Sequence, residues 1–231
     1  MEIYREKFTL GDKEPGAGEL FRIIQSVSTT HCDMLGLGES VIAQKGLVWM
    51  AARQYLRLTR GLRPGETVEL QTWPGKNRHA LVPRYYLMSA PGGEALGEGC
   101  VLWTMVEARE RRMVGPDGRG FEAAGLTTGR ECRLPSAPGR LPLTDSATFT
   151  VPEEYLDENG HMNNTRYYEL AERCIGSTAA GLRLRCAVTE FISEALMGDE
   201  MTVRWGGEGG SFYICGESRA PVFKMRLDYG E

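Results

Sequence analysis

The sequence predicts an α+β fold in which an antiparallel sheet wraps around a long helix, written twice in one chain. Three observations lead there. A Gly/Pro-rich stretch divides the chain near its middle. Each side of it opens with a strand-like piece followed by an amphipathic helix. Each side then turns to alternating strands for the rest of its length.

The dividing stretch, residues 115–145, holds six glycines and four prolines and shows no sustained periodicity. It reads as a linker or a long surface excursion. The expected units are therefore 1–114 and 146–231. The first opens with a strand over Glu2–Thr9 and a helix over Gly18–Leu35, whose apolar stripe is Leu20, Ile23, Ile24, Val27 and His31. The second opens at Ala147–Pro152 and continues into a helix over Thr165–Ala180, with Tyr167, Leu170, Ala171, Cys174 and Thr178 on one stripe. Gly65–Trp73 and Gly198–Trp205 correspond: a glycine and an acid in a turn, then alternation up to a tryptophan. Each unit ends in a hairpin. One turns at Pro91–Glu94 between Arg84–Ser89 and Gly99–Val106, the other near Arg219–Pro221 between Ser211–Glu217 and Val222–Tyr229. Two such units can join their sheets into one, which removes two exposed edges.

Composition narrows the function classes. Of 231 residues, 42% are hydrophobic and 25% charged, enough apolar material for a core and too much for a disordered chain. No run of eighteen apolar residues occurs, so no membrane span is expected. The charged start, Met1–Phe8, has no apolar stretch of a secretory signal. The net charge of −4 argues against general nucleic-acid binding. The six cysteines are scattered and form no CxxC pair, which suggests free thiols in a reducing cytoplasm.

The stretch richest in chemistry is Tyr155–Tyr167. Asp157, Asn159 and His161 are two apart, so in extended backbone a carboxylate, an amide and an imidazole share one face. Asn163 or Asn164 then stands where a helix N-cap is wanted. A helix N-terminus offers unpaired N–H groups and partial positive charge, which suit a developing oxyanion. The same residues also make a good turn and cap with no further role. Glu194 ends the strand-like run Leu182–Glu194. With regular pairing it falls on the apolar face, where desolvation would raise its pKa; a bulge or an exposed strand end would change that. Other motifs fail on inspection. The calcium-loop pattern from Asp157 has its glycine one place early and Tyr168 where the bidentate glutamate belongs. No Gly-x-Ser-x-Gly or Gly-Lys-Ser/Thr occurs, and nothing calls for a metal, a nicotinamide or a flavin.

Asp157-Glu-Asn-Gly-His-Met-Asn-Asn-Thr-Arg-Tyr167 resembles the D-x-N-x-H-x-N-N-x-x-Y signature of the acyl-acyl-carrier-protein thioesterases of bacteria and plant plastids. Trp49–Arg53, Arg63–Pro74 and Leu102–Glu107 are similar to strands of that family's first half. The resemblance spans the chain apart from the linker. It implies two tandem hotdog units, a double hotdog, that hydrolyse fatty acyl thioesters on acyl carrier protein. Catalysis would sit in 146–231 and the acyl chain mainly in 1–114. Carried over by position, Asp157, Asn159, His161 and Glu194 are the acid, amide, imidazole and later glutamate of the catalytic set. Trp49, Met50 and Met34 would wall the acyl pocket, with Asn163 and Asn164 beside the substrate.

One departure bears on mechanism. Many members have cysteine directly after the glutamate, whereas this chain has Ala195. Direct attack by water, with Glu194 as general base assisted by His161, is then the expectation. Arg53, Arg109, Arg111 and Arg112 are candidates for docking an acidic carrier. The resemblance also allows a homodimer. Two alternatives stand: the same hydrolysis on acyl-CoA, and a non-catalytic protein that binds acyl thioesters.

Overall fold

The computed structural model describes residues 3–115 and 131–231. The 116–130 part of the expected linker lies outside the described residues. The elements run β1 (Tyr4–Thr9), α1 (Ala17–Met34), α2 (Glu39–Ala43), β2 (Leu47–Leu58), β3 (Thr67–Pro74), β4 (Leu81–Ser89), β5 (Ala95–Glu107) and β6 (Met113–Val114) in the first half. The second half has β7 (Asp145–Thr150), α3 (Asn164–Ile175), β8 (Arg183–Phe191), β9 (Glu200–Glu208), β10 (Ser211–Glu217) and β11 (Pro221–Gly230). Among the described residues, eleven strands belong to one antiparallel sheet of order β1-β3-β4-β5-β2-β8-β11-β10-β9-β7, with β6 on β5.

The two halves repeat one another about the β2–β8 pairing. Arg53 faces Glu190 and Arg57 faces Cys186 across it. Arg53 Nε donates to Glu190 Oε1 at 2.9 Å, so the seam carries an ion pair between register partners. Each seam strand also carries a bulge. In β2 the pairing with β5 skips between Ala51 and Arg53, and in β8 the pairing with β11 skips between Leu184 and Cys186. The extra residue reverses which parity faces the core. In β8, Leu184 is buried before the bulge and Ala187 and Thr189 after it. Regular alternation from Leu182 to Glu194 therefore fails. The strand stops at Phe191, and Glu194 stands in the loop beyond it.

Both long helices pack on one face of the sheet. Phe21, Ile24 and Val27 of α1 and Tyr167, Tyr168 and Ala171 of α3 share a single core with strands of both halves. The rings of Phe21 and Tyr168 stack at 4.5 Å, and Tyr168 Oη donates to the buried Gln54 of β2 at 2.9 Å. The second helix is shorter than its stripe suggests. It ends at Ile175, where Gly176 takes φ +42, and a short 3₁₀ turn covers Gly176–Ala179. On the opposite face Trp73, Tyr85, Cys100 and Leu102 form a smaller cluster with Cys132 and Leu134. The described end of the connecting segment thus lies against the outer face of the sheet.

The start of α1 is capped from the other half. Gly16 at its N-cap has no side chain to accept from the first-turn donors. Glu172 of α3 does so instead: Oε1 accepts from Ala17 N–H at 2.6 Å, and a Cβ on Gly16 would meet that carboxylate at 2.6 Å. Burial pushes the Glu172 carboxyl above its ordinary value, and the hydrogen bonds from Ala17 and Gly18 oppose that. Glu172→Ala is expected to cost about 1–2 kcal/mol of stability, the scale of a lost N-cap. Urea unfolding checks it, and a midpoint within error of the wild type would show that the cap contributes nothing.

Candidate active site

The Tyr155–Tyr167 stretch is a tight turn between two short bridges, and this corrects the extended reading. Asp157 N–H donates to His161 C=O at 2.8 Å, Gly160 N–H donates to Asp157 C=O at 3.0 Å, and Leu156 bridges Met162. Gly160 supplies the positive φ, +76, that closes the turn. Asp157 Oδ1 accepts from the N–H groups of Asn159 and His161 at 2.9 and 3.3 Å. Its carboxylate therefore shapes the turn. The three polar side chains do not share a face. Asn159 Nδ2 donates to Glu39 Oε1 of α2 at 2.9 Å, whereas His161 turns to Glu194.

His161 and Glu194 meet because the turn pairs with the loop after β8. Met162 N–H donates to Ala195 C=O at 2.8 Å, and His161 bridges Leu196. This sets His161 Nε2 at 3.3 Å from Glu194 Oε2, with both side chains about one-fifth exposed. Arg111 joins them from the first half. Its guanidinium lies 2.7 Å from His161 Nε2 and is ion-paired with Glu194. A guanidinium only donates, so Nε2 accepts, and the network assigns the proton of the neutral ring to Nδ1. Burial, then the Arg111 charge, lowers the His161 pKa from its ordinary value. The ring is thus neutral at pH 7, with its lone pair held by Arg111.

Asn163 is the cap of α3. Its Oδ1 accepts from Thr165 N–H at 2.9 Å and from Thr165 Oγ1 at 2.8 Å. Arg166 N–H returns to Asn163 C=O at 2.9 Å. Two first-turn donors of this helix are therefore already engaged, which narrows its use toward an oxyanion.

A cavity of about 630 Å³ lies beside this cluster on the helix face of the sheet. Leu156–Asn159, Asn163 and Asn164 wall it from the second half. Gln25, Ser28, Thr29, Cys32, Leu37, Trp49, Val82, Arg84 and Trp103 wall it from the first. Trp49 is fixed there by Nε1 donating to Leu37 C=O at 3.2 Å. Met50, one residue on in β2, faces the opposite side of the sheet and does not line the cavity. Met34, at the end of α1, is 69% exposed and also lies outside it. His161 and Glu194 stand next to the wall residues Asp157 and Asn159 without lining the cavity themselves.

The proposed docking arginines are largely engaged. Arg53 is paired with Glu190, Arg111 with Glu194, and Arg112 with Glu107 at 2.9 Å and Glu110 at 3.3 Å. Sequence reasoning placed Arg111 on a docking face and missed its contact with His161. It also passed over Arg84, although a lone arginine within the apolar run Leu81–Met88 is a visible anomaly.

Residues 17–115 match the family model of the acyl-ACP thioesterase N-terminal domain. The chain resembles the acyl-ACP thioesterases in sequence and in fold. It is 25% identical over 186 residues to the chloroplastic palmitoyl-acyl carrier protein thioesterase of Cuphea hookeriana, covering 71% of this chain and 45% of that protein. It is 24% identical over 189 residues to oleoyl-acyl carrier protein thioesterase 1 of Arabidopsis thaliana, 71% of this chain and 52% of that one. The chain thus spans about half the length of the curated relatives it matches. Among solved structures, an acyl-ACP thioesterase from Bacteroides thetaiotaomicron superposes with a TM-score of 0.84 at 18% identity over 98% of this chain and 97% of that one. A 12:0-ACP thioesterase from Umbellularia californica gives 0.84 at 18%, over 98% and 96%. These superpositions establish the double-hotdog fold of the thioesterases, an α+β architecture with two tandem hotdog units. Among the described residues no helix is long and apolar enough to cross a membrane.

Two outcomes follow from the electrostatics. Arg111→Gln removes a cation from His161 Nε2, so the His161 pKa should rise; titration of the imidazole by NMR reads this directly. His31 is buried against Arg84, and burial first, then that charge, lowers its pKa to about 4. The unfolded chain binds this proton near pH ~6.5. The folded state binds fewer protons between these values, so stability is full above about pH 6.5 and falls as pH drops toward 4. Urea midpoints measured across that range should fall less steeply in His31→Gln than in wild type.

Proposed function

We propose that the protein hydrolyses fatty acyl thioesters carried on acyl carrier protein, releasing the free acid and the carrier thiol. The observation that carries this reading is the His161–Glu194 pair set beside a 630 Å³ cavity walled by both halves. The family-model match and the activity named for the relatives point the same way. In this reading residues 146–231 hold the catalytic groups and residues 1–114 most of the acyl chain. Cys32 and the other cysteines are free thiols, which fits a cytoplasmic setting.

Water is the nucleophile, because Ala195 offers no thiol at that place. Glu194 takes the proton from water as it attacks the thioester carbonyl, and His161, a neutral acceptor through Nε2, assists. Arg111 has to release His161 Nε2 before that lone pair can accept a proton. Asn159 lies on the cavity wall within reach of the carbonyl or the water, and Asp157 holds the turn that positions both. The expelled thiolate has a conjugate acid of pKa about 8.5, so it departs with little protonation. Trp49, Asn163 and Asn164 contact the acyl group; Met34 and Met50 take no part. A homodimer remains part of this proposal, and sedimentation of the pure protein reads it.

The test is thiol release from a ladder of acyl chains, each on acyl carrier protein and on CoA. Glu194→Gln and His161→Ala should each lower kcat by roughly 10²–10⁴-fold, the range for loss of a general base. Full activity in Glu194→Gln would remove it as the base. Faster release from CoA would keep the chemistry and replace the carrier. Binding without release from either would leave an acyl-thioester-binding protein.

A further inference from the structure

The cavity contains a second polar cluster that hydrolysis does not use. Arg84, on the helix face of β4, lines the cavity and is 5% exposed. Its Nη1 lies 2.9 Å from His31 Nδ1 and 3.4 Å from Thr72 Oγ1, and its Nη2 lies 3.1 Å from Cys32 Sγ. Among the described residues no carboxylate forms an ion pair with it. The acids that share the cavity, Glu39, Asp157 and Glu158, belong to the catalytic wall, where Glu39 and Asp157 hold Asn159.

A guanidinium keeps its proton in proteins, so this charge is permanent. Buried charges are as a rule paired, because an isolated ion in a low-dielectric interior is strongly disfavoured. None of its close partners is an oxygen anion. The neutral imidazole and the threonine hydroxyl accept hydrogen bonds without balancing the charge. Ser28 is also engaged elsewhere, donating to Ile24 C=O at 2.6 Å. A purely hydrocarbon chain entering here would seal the cation away from water with no counter-ion. A chain bearing a carboxylate would supply one, in the bidentate geometry the guanidinium favours.

We propose that the cavity selects an acyl chain carrying a carboxylate away from the thioester, and that Arg84 binds this distal carboxylate. The inference rests on the cavity being the acyl site of the proposed hydrolase, and it names the class of acyl chain.

Two measurements on the full chain separate it from that reading. The first is binding by calorimetry, comparing monomethyl esters of dicarboxylic acids with methyl esters of monocarboxylic acids of equal length. The half-esters should bind roughly tenfold or more tightly to wild type, as expected for a charge-assisted contact. Arg84→Met should abolish the preference, and Arg84→Lys should keep part of it. The second is thiol release from ω-carboxyacyl and plain acyl chains on carrier protein, where the same preference should show in kcat/KM. Equal binding and equal turnover of the two series in wild type would overturn the inference while leaving the hydrolase intact. Preference for half-esters with no release of any thiol would sink the hydrolase and keep the carboxylate site. A preference that survives Arg84→Met would assign it to another residue and also overturn the inference. If Arg84→Met does not fold, judged by circular dichroism, the wild-type comparison decides alone.

Discussion

The β2–β8 pairing is the constraint on which the rest of the molecule depends. It joins two half-sheets that would otherwise each expose a long central strand edge. By aligning the halves it puts α1 and α3 on the same face, where Phe21 and Tyr168 stack and Gln54 meets Tyr168. The same alignment lets a glutamate of α3 reach the open start of α1. The cavity is a product of that seam, since each half contributes one wall and neither encloses the space alone. The bulges in β2 and β8 lie close to the seam. They fix which side chains turn toward the helices and which, like Arg53 and Glu190, pair across the outer side of the strand.

Much of this was legible in the sequence where one physical rule dominates. The stripe of Leu20, Ile24 and Val27 predicted α1 to within a residue at each end, because burial of one helical face is a periodic demand. Pro91–Glu94 and Arg219–Pro221 predicted both hairpins, because turn chemistry is local. Failures fall where a distant contact overrides a local pattern. The bulge near Arg185 obeys the pairing with β11, and nothing within Leu182–Glu194 announces it. Thr178 fits the helical stripe, yet Gly176 ends α3 before reaching it. Met34 and Met50 suit a flexible pocket by chemistry, but helix end and strand parity carry them out of it.

The site itself was half legible. Spacing and residue type singled out Asp157, Asn159, His161 and Glu194, and the fold does gather His161 with Glu194. Their arrangement was not legible, because it follows from a positive-φ glycine at 160 and from the turn pairing with Ala195 and Leu196. Arg111 was beyond reach for a related reason. Its own backbone takes a positive φ, +53, a conformation uncommon for a side-chain-bearing residue, and this directs the arginine back across the halves. No local pattern carries that information.

The cavity therefore has two electrostatic characters that a uniform hydrophobic tunnel would lack. At the turn, Glu39, Asp157 and Glu158 put acids on the cavity wall, with the neutral His161 imidazole and the Arg111 cation beside that wall. At β4 a buried guanidinium lies against an imidazole and a cysteine sulfur, with no carboxylate ion-paired to it among the described residues. A hydrocarbon gains from apolar walls wherever they are, since the hydrophobic effect has no direction. Charges in a low-dielectric space do have direction, and they weaken slowly with distance there. In such a cavity the few polar residues are the ones able to discriminate between occupants, and the apolar walls set only how much apolar material can enter.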